Sequence, residues 1–293
     1  MKTLSALHLA GRLVRHPAAH KGDAGKVLLI GGAPSISGAL VLAGQAALHS
    51  GAGWIVLMML DAKSAHVVAT QAELMVHDAN AYVPDQAIAD IAPDVIAIGP
   101  GLGVSEQAVQ WLKAALSWHG PLIVDADALN LLSSTPALLT QLKTRTAPTC
   151  LTPHPGEAAR FLKITNQVVQ DDRVASITQL VDQTHAIVVL KGQHTLVASP
   201  THAVHQCTEG NAGMAVGGMG DVLTGCIAAL AAQGIKHQLD LWDATCLGVQ
   251  VHALAGDTLV KKGIGPIGLT PSELSRELLP LLRAQINQHP ISD

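Results

Sequence analysis

Charge is scarce in this chain. Only 14% of its residues are charged against 48% hydrophobic, and the formal net charge is −4 with a pI near 6.4. Without a basic excess there is nothing to draw nucleic acid or an anionic membrane, and neither is expected as a partner. A nucleotide is not excluded on that ground, because backbone N–H groups and helix starts hold phosphates without a basic surface. Long apolar runs are missing too: none approaches the roughly 18 residues of a membrane-spanning helix, the best being broken by Gly, Gln, His or Asp. Met1 to His20 has no continuous apolar stretch followed by small residues and does not read as a signal peptide. The four cysteines, Cys150, Cys207, Cys226 and Cys246, lie far apart with no C-x-x-C pair. Buried free thiols are the expectation. There is no His-Glu-x-x-His pattern, so no metal held by protein side chains is expected. A cytoplasmic enzyme fits these absences.

What is present is a regular alternation. Lys26–Ile30, Trp54–Met58, Val95–Ile98, Leu122–Val124, Cys150–Thr152 and Ile187–Leu190 are continuously apolar, as strands buried on both faces are. Helical patterns fall at Gly38–Ser50, Glu106–Trp118, Glu157–Leu162 and Asp171–Gln183. Together they predict βαβ units in a doubly wound, mostly parallel sheet with helices on both faces. After Lys191 a hairpin is expected over Thr195–Ala198 and Ala203–Gln206, then helices at Asp221–Gln233, Asp240–Leu259 and Pro271–Gln288. With no repeat, no low-complexity segment and no linker composition, one α/β domain over residues 1–293 is expected, its core about 26–279. The ends, Met1–Gly22 and Asn287–Asp293, are expected to be less ordered or packed on a neighbouring subunit.

In open parallel sheets ligands sit beyond the carboxyl ends of the strands. Five successive strand ends here carry small, polar or ionisable residues: Gly31–Gly38, Gly99-Pro100-Gly101-Leu102-Gly103, Asp125-Ala126-Asp127-Ala128-Leu129-Asn130, Pro153-His154-Pro155-Gly156-Glu157 and Lys191-Gly192-Gln193-His194-Thr195. A bland scaffold has no need of that at every end. The densest element follows: six glycines (Gly210, Gly213, Gly217, Gly218, Gly220, Gly225) around the start of a helical pattern at Asp221. Glycine lets the backbone approach a phosphate, and the free N–H groups of a helix start form an anion hole. Asp221 reads as an N-cap or first-turn residue. Capping alone accounts for an Asp there, but a carboxylate beside an anion hole is also suited to deprotonating a hydroxyl that attacks phosphorus. The segment is neither a P-loop nor a dinucleotide fingerprint.

The other candidates keep two readings each. His154 lies between prolines at a strand end, as a surface residue or a ligand contact. Glu157 either charges the first turn of a helix or meets a ligand. Lys191 is a solvent-facing strand end or, with Gly192 and Thr195, a phosphate or ribose contact. Asp125 and Asp127 suit a metal or hydroxyl site, or simply a strand-to-helix turn.

Taken in order, Gly38-Ala39, Gly99–Gly103, Asp125–Asn130, Thr152-Pro153-His154-Pro155-Gly156-Glu157, Lys191-Gly192-x-x-Thr195 and Gly218-x-Gly220-Asp221-Val222-Leu223-x-Gly225 resemble the ADP-dependent NAD(P)H-hydrate dehydratases, over about Lys26 to Leu279. The Gly-x-Gly-Asp turn by itself resembles only the wider ribokinase-like superfamily. Many relatives carry an N-terminal epimerase domain, and the length here resembles the stand-alone dehydratase. The resemblance implies a ribokinase-like fold and repair of hydrated NADH or NADPH at the expense of ADP, giving AMP and phosphate. It implies Asp221 as general base, an anion hole at Gly218–Gly220, and Mg²⁺ carried largely by nucleotide oxygens and water. It places Ala39, Gly103, His154 and Asp221 on the hydrated cofactor, and Lys191, Gly192, Gln193, His194, Thr195 and Gly220 on the adenine nucleotide. It also implies a homotetramer. One letter departs: Met219 stands where the family has a small or hydroxyl-bearing residue, and a thioether donates no hydrogen bond to phosphate. Two alternatives stay open, a small-molecule kinase on the same fold and a non-catalytic nucleotide-binding protein.

Overall fold

The computed structural model describes residues 1–66 and 71–289. In chain order the elements are β1 (Lys2–Thr3), β2 (Lys26–Gly31), α1 (Ser37–His49), β3 (Trp54–Met59), β4 (Met75–Asp78), α2 (Pro84–Ile91), β5 (Val95–Ile98), α3 (Glu106–Ser117), β6 (Leu122–Val124), α4 (Ala126–Ser134), α5 (Pro136–Lys143) and β7 (Thr149–Leu151). There follow α6 (Pro155–Leu162), α7 (Asn166–Asp171), α8 (Arg173–Thr184), β8 (Ile187–Leu190), β9 (Leu196–Ser199), β10 (His202–Gln206), α9 (Met219–His237), α10 (Leu241–Lys261) and α11 (Pro271–Gln288).

All ten strands join one sheet in the order β1-β10-β9-β8-β7-β6-β5-β2-β3-β4. Pairing is parallel except where β9 runs against β8 and β10. The apolar runs explain this arrangement, since a strand without polar alternation must be covered on both sides. Along β2, Val27 and Leu29 enter one core while Leu28 and Ile30 enter the other. Helices α1, α9, α10 and α11 cover the first face; α2 to α8 contribute to the second. This is the ribokinase-like α/β architecture expected.

Helix α9 is apolar all round, with 14 of its residues buried, because it lies between the sheet and α1, α10 and α11. Its approach to α1 depends on Gly225: a Cβ there would stand 2.0 Å from the Ala43 carbonyl oxygen. That contact fixes where the helix starts, and hence where Asp221 sits.

Several elements were not read from the sequence. Helices α4 and α5 fill the stretch between β6 and β7 that was taken as a turn motif, and Pro136 at the first helical position separates them. The helix expected over Asp171–Gln183 is α8, starting two residues later because Asp172 leaves helical geometry and its side chain accepts from the Ala175 N–H at 2.9 Å; the short α7 before it was not expected. The N-terminal expectation is corrected as well. Lys2 and Thr3 pair with His205 and Gln206, and Leu4, Leu9 and Leu13 are buried in the first core. The segment packs on its own chain because those leucines complete the apolar face of α10 and α11. At the other end α11 continues to Gln288, and residues 290–293 lie outside the described residues.

Candidate active site

The strand order reverses between β2 and β5, the switch point at which open parallel sheets form a ligand crevice, and the loops after these strands meet there. They are tied to one another at its base, where Gly32 N–H donates to the Pro100 carbonyl at 3.0 Å and Ala33 N–H to the Gly101 carbonyl at 2.6 Å. Gly99 is required in this loop: at φ 133°, a Cβ would stand 1.8 Å from the Asp125 carbonyl oxygen. Ala39 lies in the first turn of α1 and Gly103 beyond β5, on the two sides of this crevice. The Gly103 N–H donates to Asp127 Oδ2 at 2.9 Å, and Asn130 Nδ2 donates to Asp127 Oδ1 at 3.3 Å. Asp127 therefore shapes the loop rather than standing free for a ligand.

Over the end of β6 sits the start of α9. Gly218, at φ 98°, occupies the N-cap, and Asp221 is the third residue of the helix. Met219 is only 6% exposed and belongs to the first core, so its thioether turns inward and the helix mouth is lined by backbone. The departure at Met219 thus falls on the core side. Its carbonyl accepts from His252 Nε2 of α10 at 3.0 Å, and burial pushes that imidazole down to about 4, leaving it neutral. Gly220 is small for a local reason: a Cβ there would lie 3.1 Å from Lys191 Nζ.

Lys191 does not point to solvent. Its Nζ donates to Asp125 Oδ1 at 2.7 Å and lies 3.9 Å from Glu157 Oε2. Burial alone would lower the ammonium, but the carboxylates of Asp125 and Glu157 outweigh it and hold Lys191 above its ordinary value. Asp125, 1% exposed, also accepts from Thr152 Oγ1 and Thr224 Oγ1, each at 2.8 Å. Among the described residues no group of three or more His, Cys, Asp or Glu is placed to hold a metal ion. The innermost carboxylate, Asp125, is engaged by an ammonium and two hydroxyls.

Glu157 meets the first of its two readings, serving the start of α6. Its Oε2 accepts the His154 N–H at 2.7 Å, closing a capping box on α6, and the same oxygen is the one nearest Lys191. Burial raises its carboxyl above the ordinary value. His154 caps the same helix: Nδ1 accepts from the Gly156 N–H at 3.0 Å, so the neutral ring carries its proton on Nε2, 3.4 Å from Glu157 Oε1. Half of the His154 side chain remains exposed, and burial of the rest, then Lys191 and Arg160, lower its pKa.

Asp221 is the group this environment perturbs most usefully. Burial, then the charge of Asp125, push its carboxyl from 3.8 up to about 7, with Lys191 pulling the other way. A carboxyl poised near neutrality beside a helix start is suited to proton transfer at phosphorus.

Gly192, Gln193, His194 and Thr195 form the turn between β8 and β9, at the far side of α9 from Ala39 and Gly103. Sequence reasoning missed three contributors. Thr224 reaches Asp125 from α9, and its spacing of three from Asp221 on a helix was the available signal. His252 left only the trace of an imidazole in an apolar helix. Arg173 donates to the Leu190 and Lys191 carbonyls at 3.0 and 3.3 Å, beside Gly192, with no sequence signal at all.

Comparison with known proteins agrees with this geometry. Residues 27–280 match the family model described as NAD(P)H-hydrate dehydratase. The chain is 38% identical over 268 residues to the ADP-dependent (S)-NAD(P)H-hydrate dehydratase of Neisseria meningitidis, covering 90% of this chain and 86% of that one. It is 36% identical over 273 residues to the bifunctional NAD(P)H-hydrate repair enzyme of Escherichia coli, of whose length it spans about half. Among solved structures, the ADP/ATP-dependent NAD(P)H-hydrate dehydratase of Bacillus subtilis, co-crystallized with ATP/Mg²⁺, superposes with a TM-score of 0.83 at 28% identity, covering 97% of this chain and 98% of that one. The hydroxyethylthiazole kinase of Pyrococcus horikoshii, at 13% identity and a TM-score of 0.61, shares the fold alone. The motif order, the rim that gathers those motifs and the match over nearly the whole length agree: the chain belongs to the NAD(P)H-hydrate dehydratase family.

Proposed function

We propose that this chain dehydrates hydrated NADH and NADPH back to the reduced cofactors, consuming ADP and releasing AMP and phosphate. The observation that carries the reading is positional. The loops bearing Ala39 and Gly103 follow β2 and β5, Lys191–Thr195 follow β8, and the start of α9 is bonded to the end of β6 between them. A substrate on the first side and a nucleotide on the second meet over Asp221.

The step balances as follows. Asp221 takes the proton of the ring hydroxyl, whose oxygen attacks the terminal phosphorus of ADP. The bond from that phosphorus to the bridging oxygen breaks, and AMP leaves. The ring nitrogen's electron pair then expels phosphate by breaking the ring C–O bond, and loss of a proton from the neighbouring carbon restores the ring double bond. The anion hole at Gly218–Gly220, with the free N–H groups of the helix start, faces the charge that develops on the transferring group, with Lys191 beside it. Mg²⁺ would enter with the nucleotide, held by phosphate oxygens and water. Ala39, Gly103, His154 and Asp221 contact the hydrated cofactor. Lys191, Gly192, Gln193, His194, Thr195 and Gly220 contact the adenine nucleotide.

In this reading residues 1–293 act as one ribokinase-like domain, assembled as a homotetramer in the cytoplasm. Recovery of the reduced-nicotinamide absorbance from hydrated NADH, with ADP and Mg²⁺ supplied, tests the activity. Absence of recovery together with phosphorylation of a vitamin alcohol would assign the chain to the kinases instead.

A further inference from the structure

Asp125 is engaged more heavily than any other acid of the site, and none of its bonds goes to the backbone. One oxygen takes Lys191 Nζ at 2.7 Å and Thr152 Oγ1 at 2.8 Å; the other takes Thr224 Oγ1 at 2.8 Å. These partners come from the ends of β8 and β7 and from the first turns of α9. The acid stands at the N-cap position of α4, yet its side chain caps no N–H of that helix. The next residue, Ala126, is held at φ 48°, a left-handed conformation that a residue with a Cβ adopts at a cost of about 1 kcal/mol. An acid needed only to start α4 would bond the helix's own amides. This one is turned away from them.

We propose that Asp125 is a positioning residue: its carboxylate binds Lys191, Thr152 and Thr224 into one unit that holds the Lys191 ammonium against Gly220 and sets the charge state of Asp221. The geometry behind this is the place of Lys191 Nζ, 2.7 Å from Asp125 Oδ1 and 3.1 Å from where a Cβ at Gly220 would stand, one residue before Asp221. The charged groups that face Asp221 come from four elements: Asp125 at the end of β6, Lys191 at the end of β8, Asp127 on α4 and Glu157 on α6. Burial first, then Asp125, favour the protonated form of Asp221, Asp127 and Glu157 add to it, and Lys191 opposes it. His252, from α10, is neutral and enters only through the Met219 carbonyl.

The role in turnover rests on the dehydratase reading, but the test does not. The side-chain carboxyl of Asp221, ¹³C-labelled and assigned by its disappearance in Asp221→Asn, is titrated by NMR in the wild-type protein and in Asp125→Asn, Lys191→Met and Thr224→Val. Asp125→Asn removes a negative neighbour and is expected to lower the Asp221 midpoint by about one unit or more. Lys191→Met removes a positive one and is expected to raise it. Thr224→Val, which changes no charge, is expected to move the midpoint far less than either. A part that was only structural would lower the melting temperature in all three variants and leave the titration in place, and that result would overturn the proposal. Should Asp125→Asn not fold, Lys191→Met decides, an unmoved midpoint overturning it. In the kinetics, the acid limb of kcat should follow the same directions. A wild-type protein with no turnover on hydrated NADH would sink the functional reading while the titration still reads the positioning role.

Discussion

At the carboxyl rim of the sheet Lys191 is buried among carboxylates; at the amino rim Arg145 is half buried among neutral oxygens. Arg145 Nη1 donates to the carbonyls of Ala115, Leu116 and Trp118 at 3.2, 2.8 and 2.5 Å, Nη2 to Gly120 at 2.7 Å, and Nε to Thr149 Oγ1 at 3.0 Å. The first two carbonyls end α3, where helix oxygens lack partners and carry partial negative charge. Burial lowers the guanidinium only to about 10, so it stays charged without any carboxylate. Lys191 and Arg145 meet different partners, with different consequences. Neutral oxygens satisfy Arg145. Carboxylates around Lys191 satisfy the ammonium and leave Asp221, one group away, with a proton it can exchange at about pH 7. Shape alone misleads here: a cavity of about 270 Å³, lined among others by Arg145, Thr184, His202 and Trp242, opens at the amino rim, away from the strand ends that carry the chemistry.

The largest expected effect is at Asp221. Replacing it with Asn should lower kcat by about 10² to 10⁴-fold, the usual range for a general base, with ADP affinity measured by calorimetry changed little. Near-normal turnover in this variant would remove the chemical half of the contrast between the rims.

Arg145→Met should cost roughly 2–4 kcal/mol of stability, because several carbonyls lose a charged donor at once. Turnover of the folded fraction should be retained. Arg145→Lys should not restore the loss, since one ammonium cannot span a fork of five bonds. Chemical denaturation reads both variants, and a specific loss of kcat in either would show that the rims are coupled.

Asp221→Asn carries a second signature, of similar size but opposite sign. The native carboxyl at about 7 binds its proton more tightly than the unfolded chain does at 3.8, so native stability falls as pH rises between those values. Asn removes this penalty. The variant should therefore be more stable than wild type above pH 7, by something on the order of 3 kcal/mol, and no more stable below about pH 4. A gain equal at both ends would contradict the raised carboxyl.

The smallest effect is expected at His252. Its imidazole stays neutral down to about pH 4 in the fold, whereas the unfolded ring takes a proton near 6.5. Stability should thus be lost as pH falls from 6.5 toward 4, and His252→Gln, which keeps an N–H donor for the Met219 carbonyl, should flatten that decline. His252→Met, lacking the donor, should lose a further 1 kcal/mol or so.

How legible this was varied with how local the cause is. The six apolar runs became strands because a short continuous apolar stretch has few other homes, and each matched a strand of the sheet to within one residue at either end. The edge strand β4 was missed, since Met75–Asp78 holds His and Asp and meets a neighbour on one side only. Helix α4 was missed because its first residues double as the Asp125–Asn130 motif. Of the site, the glycine cluster and Asp221 were plain from spacing. The turning of Lys191 away from solvent and the hydroxyl of Thr224 were not, as both depend on partners 66 and 99 residues away.

By itself the sequence determined the class of fold and the family, because periodicity, glycine and ordered motifs express local conformational needs. Only the tertiary structure decided what the ionisable groups do. The sequence left Asp125 as a metal site, a hydroxyl site or a turn, and Lys191 as solvent-facing or phosphate-binding. The fold made them one ion pair near Asp221, whose carboxyl burial and Asp125 push up to about 7. A charge takes its state from the dielectric and the neighbours that folding brings within a few ångströms, and no spacing along the chain records them.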